Sequence, residues 1–219
     1  IPSAPPPAPP QLDFDSTQVK AWSPSVTEVP IPVTACAFYT KGARHRDSAA
    51  LQLIFESLAS GRSARLWKKL VMERRLAEFF AGIHLVGQDN AVMILGGVHL
   101  PFMSGKIKTE ILRQLDTIRE QGLTTAEFVK VKNQAVSKLI FEQYSATGLA
   151  TSLGQAEVVR GDYQYVNQVL TAIEAVTQAD IMRVAQTYLN EKNLRIVYFK
   201  PKKGMFLAAV LGLFKSILM

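Results

Sequence analysis

Two long runs, Ala77 to Val86 and Ala91 to Leu100, flank the turn-like Gly87-Gln88-Asp89-Asn90, and no other feature constrains the fold as much. The pattern predicts an antiparallel hairpin of two long strands. Every other segment is then read by what it adds to that hairpin.

Val29 to Tyr39 is rich in Val, Ile, Thr, Phe and Tyr and reads as an earlier strand, with Pro30 and Pro32 pushing its start toward a sheet edge. Leu194 to Phe199 reads as the last strand. Between them the apolar residues recur at helical spacing. Asp47 is the expected cap of a helix carrying Leu51, Ile54, Phe55 and Leu58, ended by Gly61. A second helix turns Leu66, Leu70 and Val71 inward and spreads Arg62, Arg65, Lys68, Lys69, Arg74 and Arg75 over its outside, which predicts a strongly basic exterior. Ser104 is the expected cap of a helix with Ile107, Ile111, Leu115 and Ile118, stopped by Gly122. Thr124 with Glu127 forms a capping box ahead of Phe128, Val131, Ala135 and Leu139, with breaks expected at Gly148 and Gly154. Another helix is expected from Gly161-Asp162, and Thr177 with Asp180 caps one holding Ile181, Val184, Ala185 and Tyr188. The order β, α, α, β, β, α, α, α, α, β comes in blocks. It predicts an α+β fold, a mixed and largely antiparallel sheet with helices packed on one face, over a doubly wound sheet.

With 48% hydrophobic and 20% charged residues among 219, the chain can fill a core, and wholesale disorder is excluded. No uninterrupted apolar run approaches the ~20 residues of a membrane-spanning helix. Residues 1–28 read as a Pro-rich linker and extended lead-in whose start resembles a processed or fragment terminus, 29–203 as one domain, and 204–219 as an apolar C-terminal helix. A net charge of +7 suits anionic lipid, an acidic protein face, or solubility alone.

Chemistry-bearing residues are few. Cys36 is the sole cysteine and sits in an apolar strand, where a core role is expected. In the hairpin register His84 falls opposite Met93 and His99 opposite Glu78, which separates the two imidazoles by roughly 20 Å and prevents a shared metal. His99 beside Glu78 suits either a tuned imidazole or two satisfied polar groups, and no nearby nucleophile favours the first. His45 lies between Arg44 and Arg46, which repel a cation. Gly96-Gly97 inside a strand predicts close backbone approach. Trp67 is the only aromatic on the basic helix and no recognition motif accompanies it, so nucleic acid is not an expected partner. Residue chemistry alone nominates no catalytic, cofactor-binding or metal-binding residue.

The stretch Gly61-Arg62-Ser63-Ala64-Arg65-Leu66-Trp67-Lys68-Lys69-Leu70-Val71, then Leu76-Ala77, resembles the G-x-S-S-R-L-x-x-x-L segment in the non-catalytic half of pitrilysin and insulinase-like zinc peptidases. Gln121-Gly122-Leu123-Thr124-x-x-Glu127-Phe128 and Ala175-Val176-Thr177-x-x-Asp180-Ile181-x-x-Val184-Ala185 follow in family-like order. The resemblance covers roughly Val29 to Pro201. It implies the second, non-catalytic half of a processing-peptidase-like zinc metallopeptidase, closing a chamber and helping to hold extended peptide substrate. A zinc-bearing homologous half or subunit is the implied partner, with zinc there and no cofactor on this chain. The alternative is a purely structural, core-protein-like subunit of a larger complex, in a membrane or outside one.

In that family the catalytic half binds zinc through an H-x-x-E-H helix. The matching helix here runs Ser48-Ala49-Ala50-Leu51-Gln52-Leu53-Ile54-Phe55-Glu56-Ser57-Leu58 and has no histidine, so Glu56 has no metal-bound water to activate. Active members also supply an arginine and a tyrosine from the second half. Those positions align with Met72 and Glu78, neither of which substitutes. By resemblance the compartment is the bacterial periplasm or cytoplasm, or the mitochondrion. The segment 204–219, preceded by Lys200, Lys202 and Lys203, has two expected destinations: a membrane surface, or burial on this domain or its partner.

Overall fold

The computed structural model describes residues 22–27 and 31–201. Its strands are β1 (Trp22–Thr27), β2 (Val33–Lys41), β3 (Phe79–Val86), β4 (Asn90–Val98) and β5 (Leu194–Pro201). Between β2 and β3 lie α1 (Ser48–Ala59) and α2 (Arg65–Trp67), the latter continuing as a π-helical stretch Lys68–Glu73. After β4 come α3 (Ser104–Gln121), α4 (Thr125–Gln143), α5 (Ala146–Arg160), a 3-10 turn (Tyr163–Asn167), α6 (Val169–Ala175) and α7 (Gln178–Tyr188). One five-stranded sheet takes the order β1-β5-β2-β4-β3. Its pairs are antiparallel except β1 with β5. This is the mixed, largely antiparallel α+β architecture that the block order predicts.

The core forms because strand residues alternate in facing. Cys36 and Phe38 of β2 and Met93 and Leu95 of β4 are fully buried. They pack in one cluster with Leu51, Ile54 and Leu58 of α1, Ile107 and Ile111 of α3, and Ile181 and Val184 of α7. Each such Leu or Ile contributes about 1.5–3 kcal/mol of transfer free energy. The hairpin register is as predicted at its centre, with His84 opposite Met93. Both capping boxes, Thr124 with Glu127 and Thr177 with Asp180, are formed.

Several local expectations are corrected. β2 starts after Pro32 and is the middle strand, because a proline lacks its donor only at its own position and both prolines precede the ladder. Asp47 stands at the N-cap position of α1 but makes no capping bond, since its carboxylate is drawn to α7. Ser104 is the first helical residue after Met103 rather than a cap. The break near Gly148 falls at Ser145, whose hydroxyl accepts the Gly148 N–H, and α5 runs unbroken through Gly154. Gly161, with φ +76°, closes α5 in a left-handed conformation, and Asp162 caps the 3-10 turn. Gly96 and Gly97 have room for a Cβ at ordinary contact distance. Close approach occurs instead at Gly82, against Ala59 and Phe55 of α1, and at Gly42. Within the segment read as an extended lead-in, Trp22–Thr27 adds an edge strand to the same sheet. Residues 1–21 and the apolar stretch 204–219 lie outside the described residues.

Candidate peptide-facing surface

Burial alternates so strictly along β2 and β4 that the two faces of the sheet differ in kind. Thr34, Cys36, Phe38 and Thr40 face the helices. Val33, Ala35, Ala37, Val92, Ile94 and Val98 face the other way and stay half-buried. On β3 the same outer face is open, with Phe79 51%, Ile83 53% and Leu85 58% exposed. The ring of Trp67, from α2, meets Phe79 edge-on at 5.4 Å and marks the border of this face. A contiguous apolar face of this kind is the usual mark of an interaction surface.

The neighbouring edge adds backbone groups. At the hairpin turn the Gly87 N–H donates to the Asn90 carbonyl at 3.0 Å. Alternation along the ladder therefore turns the N–H and C=O groups of Phe80, Gly82, His84 and Val86 away from β4. No other strand of the described residues lies alongside β3. An extended peptide adds to an edge of this type through main-chain hydrogen bonds, with its side chains reading the face beside it.

The residues singled out from sequence are dispersed. His99 is buried, hydrogen-bonded to the Thr34 hydroxyl (2.8 Å) and the Leu100 carbonyl (2.7 Å), and stacked on Tyr198. Glu78 is exposed, and the side-chain partner of His99 is instead Thr34, on the neighbouring strand. His84 packs against Phe55 at 5.4 Å, and burial holds its pKa below the usual histidine value. His45 accepts the Asp47 backbone N–H through Nδ1. Burial pushes the Cys36 thiol up to about 12, so it is a core residue and not a nucleophile at neutral pH. Glu56 is buried and ion-paired with Lys138 at 3.4 Å, at the side of a cleft of about 520 Å³ beneath α5. Met72 points into solvent. Among the described residues no group of three His, Cys, Asp or Glu side chains converges, and α1 offers no imidazole, so the donor set does not fit zinc.

Sequence reasoning missed three ion clusters, two of them around buried carboxylates. Asp47 accepts from Arg183 (2.8 Å) and from the Tyr188 hydroxyl (2.9 Å). Glu110, on α3, accepts from Arg74, Arg113 and Gln114. Arg65 forks onto Glu127 and joins α2 to α4. The exterior of α2 is thus less basic than predicted, because Arg65 and Arg74 are consumed by carboxylates far away in sequence. Arg113 and Gln114 stand three and four residues from Glu110 on α3, but Arg74, Arg65 and Arg183 reach their carboxylates from distant elements, a spacing that no sequence pattern reveals.

These clusters set the acid limit of the fold. Burial pushes the carboxyls of Asp47, Glu110 and Glu127 up, but hydrogen bonds from Arg183 and Tyr188, from Arg113 and Gln114, and from Arg65 outweigh it and hold all three below their usual range. Groups depressed on folding stabilise the protein above their unfolded values of about 4, and that stability is lost as pH falls through the folded values. Tyr188 is shifted the other way, to about 12, by burial and its bond to Asp47, so its share is present below about 10 and lost above that. Melting temperature followed by circular dichroism is expected to be flat from about pH 8 to 5 and to fall steeply below about 4. A flat profile down to pH 2 would contradict the assignment.

One helical layer on one face of a largely antiparallel sheet, joined by Arg65 and the two capping boxes, defines an α+β domain class that known proteins share. The peptidase M16 inactive domain matches residues 1–135, and the chain belongs to that family. It is 25% identical over 159 residues to zinc protease PqqE of Helicobacter pylori, covering 72% of this chain and 36% of that protein. The structure of a protease from Helicobacter pylori superposes with a TM-score of 0.76 at 23% identity, over 82% of this chain and 44% of that one. The inactive peptidase domain from Bordetella parapertussis gives 0.70 at 18% identity, over 79% and 94%. The chain spans about a third of the length of the curated relatives it matches.

Proposed function

We propose that this inactive M16 domain works with a zinc-bearing M16 half, closes the chamber opposite it, and helps to hold an extended peptide there. The apolar face beside the β3 edge, which no helix of the described residues covers, carries the reading, because it offers both main-chain hydrogen bonds and side-chain contacts to an extended chain. The names of the relatives support the same direction, since they are zinc proteases. Zinc and the water it activates belong to the partner half in this reading. The residues of this chain bind and orient, and no bond-making step is assigned to them.

The test joins this chain to the zinc-bearing M16 half of its source, as one polypeptide or as two subunits, and measures cleavage of a quenched fluorescent peptide. Cleavage is expected only from the combination. Ile83→Glu and Leu85→Glu, both at exposed positions, are expected to raise KM by about tenfold each, the size of one lost apolar contact, with the fold intact. Full activity of the zinc half alone, or KM unmoved by both variants, would overturn the proposal.

A further inference from the structure

The cleft beneath α5 adjoins the β3 edge. His84 and Val86, whose main-chain groups are turned away from β4 at that edge, also line the cleft, together with Phe55 of α1, Leu139 of α4 and Ala156 of α5. At about 520 Å³ it has room for any single side chain. Its position follows from the pleat of β3. Gly82, on the helix side of the strand, is shut against α1, where a Cβ would stand 2.3 Å from Ala59 and 2.8 Å from Phe55. Two residues on, His84 packs on Phe55 from the same side, and there the cleft begins. A strand laid beside β3 shares its alternation, so a residue opposite His84 points to the cleft while the residues on either side of it point to the outer face of Ile83 and Leu85.

The polar groups of the cleft select the tip of that side chain. Nε2 of His84 and Nε2 of Gln143 line it, and each is buried with no hydrogen-bond partner among the described residues. Such groups are uncommon, because each costs about 1–3 kcal/mol. Burial favours the neutral His84 ring, whose Nε2 donates or accepts according to tautomer, and the Gln143 amide nitrogen donates. A hydroxyl answers both. Charge argues against an ionic tip, since Glu56 is 7% exposed and already paired with Lys138, and Lys41, Arg160 and Glu142 stand on the same walls. A cation would compete with Lys138, and a carboxylate would face two glutamates. Tyrosine is the natural side chain that joins a hydroxyl to a large apolar body.

We propose that the cleft takes one tyrosine side chain of an extended peptide held at the β3 edge, its ring against Phe55, Leu139 and Ala156 and its hydroxyl bonded to His84 and Gln143. This rests on the peptide reading above and adds to it the residue that the site selects. The two faces of the bound strand then do different work. Side chains over Ile83 and Leu85 contribute apolar contact with little selection, and the one that enters the cleft is chosen by shape and by its hydrogen bonds.

The experiment reads peptide binding by fluorescence anisotropy on the full chain joined to the zinc-bearing half, with a chelator present so that bound peptide is not cut. The probe is a fluorescein-labelled peptide that alternates threonine with valine between terminal lysines, with one threonine replaced by tyrosine, phenylalanine, alanine, lysine or glutamate. Tyrosine is expected to bind about fivefold tighter than phenylalanine, the scale of one hydrogen bond, and phenylalanine about tenfold tighter than alanine. Gln143→Leu should erase the first margin, and Ala156→Phe, which fills the cleft, should erase both. Ile83→Glu should weaken every peptide alike and keep both margins. Gln143 and Ala156 are half-buried, and melting followed by circular dichroism checks each fold; if Ala156→Phe does not fold, Gln143→Leu decides alone. Phenylalanine binding as well as tyrosine, a preference for lysine or glutamate, or margins that survive the cleft variants would overturn this inference and leave the peptide reading standing. No binding of any peptide would overturn both.

Discussion

Removing both arginines that serve Glu110, as Arg74→Ala with Arg113→Ala, is expected to lower folding stability by about 3–5 kcal/mol at pH 7. Glu110 is 0% exposed, and the two guanidinium groups that reach it are each 53% exposed. The cluster is therefore asymmetric. Without the arginines a carboxylate stays in the core with Gln114 as its remaining partner, donating at 2.7 Å, and an uncompensated buried charge is among the costliest defects a fold can carry. Glu110→Gln has the opposite geometry, since it frees two cations that already touch water. It is expected to cost only about 1 kcal/mol, one net hydrogen bond. Urea denaturation at pH 7 distinguishes the two. The double variant should also regain part of its stability near pH 5, where a carboxyl pushed up by its new isolation takes a proton. Equal losses in both variants would mean that the helix surfaces, not the charge, dominate the site.

Most of what the sequence revealed was local. The hairpin register follows from one turn, and the two capping boxes follow from Thr124 with Glu127 and Thr177 with Asp180, each decided within four residues. The α+β class follows from block order. What escaped has a distant partner. β1 contains Pro24 and finds β5 from the other end of the chain, in parallel, so neither its residues nor its neighbours announce it. Asp47 has the residue type of a helix cap but is claimed by Arg183 and Tyr188. His99 was paired with Glu78 from the hairpin alone, whereas Thr34 comes from the strand on the other side. The candidate surface itself was illegible for a related reason. Alternation along β2 and β4 sorts residues into two faces, and only the packing of α1, α3 and α7 decides which face the helices of the described residues cover.

Gly42→Ala is the second change expected to be severe, because here the close approach is to backbone. A Cβ at Gly42 would stand 2.5 Å from the Gly87 carbonyl oxygen, 2.6 Å from that of Gln88 and 2.7 Å from the Asn90 nitrogen. All three belong to the β3–β4 turn, so no side chain can swing aside. The same place is stitched by three main-chain hydrogen bonds, in which Gly42, Ala43 and Arg44 donate to the carbonyls of Asp89, Gly87 and Gln88 at 2.8 to 3.1 Å. Relief of the clash must therefore break part of that set or shift the turn that fixes the hairpin register. Overpacking of this kind costs about 3 kcal/mol or more when rigid backbone is the obstacle, and each bond lost adds about 1 kcal/mol. Gly96→Ala is the control, since its Cβ would meet its nearest neighbour at 3.4 Å and should change stability by less than about 1 kcal/mol. Urea denaturation compares the two variants, and hydrogen exchange shows where the structure opens. Gly42→Ala should speed exchange of the amides of residues 42–44 at the turn before those of β2 and β4 at the sheet centre. A Gly42→Ala protein as stable as Gly96→Ala, with those amides still protected, would show that the loop and the hairpin turn move together and that their contact does not set the register.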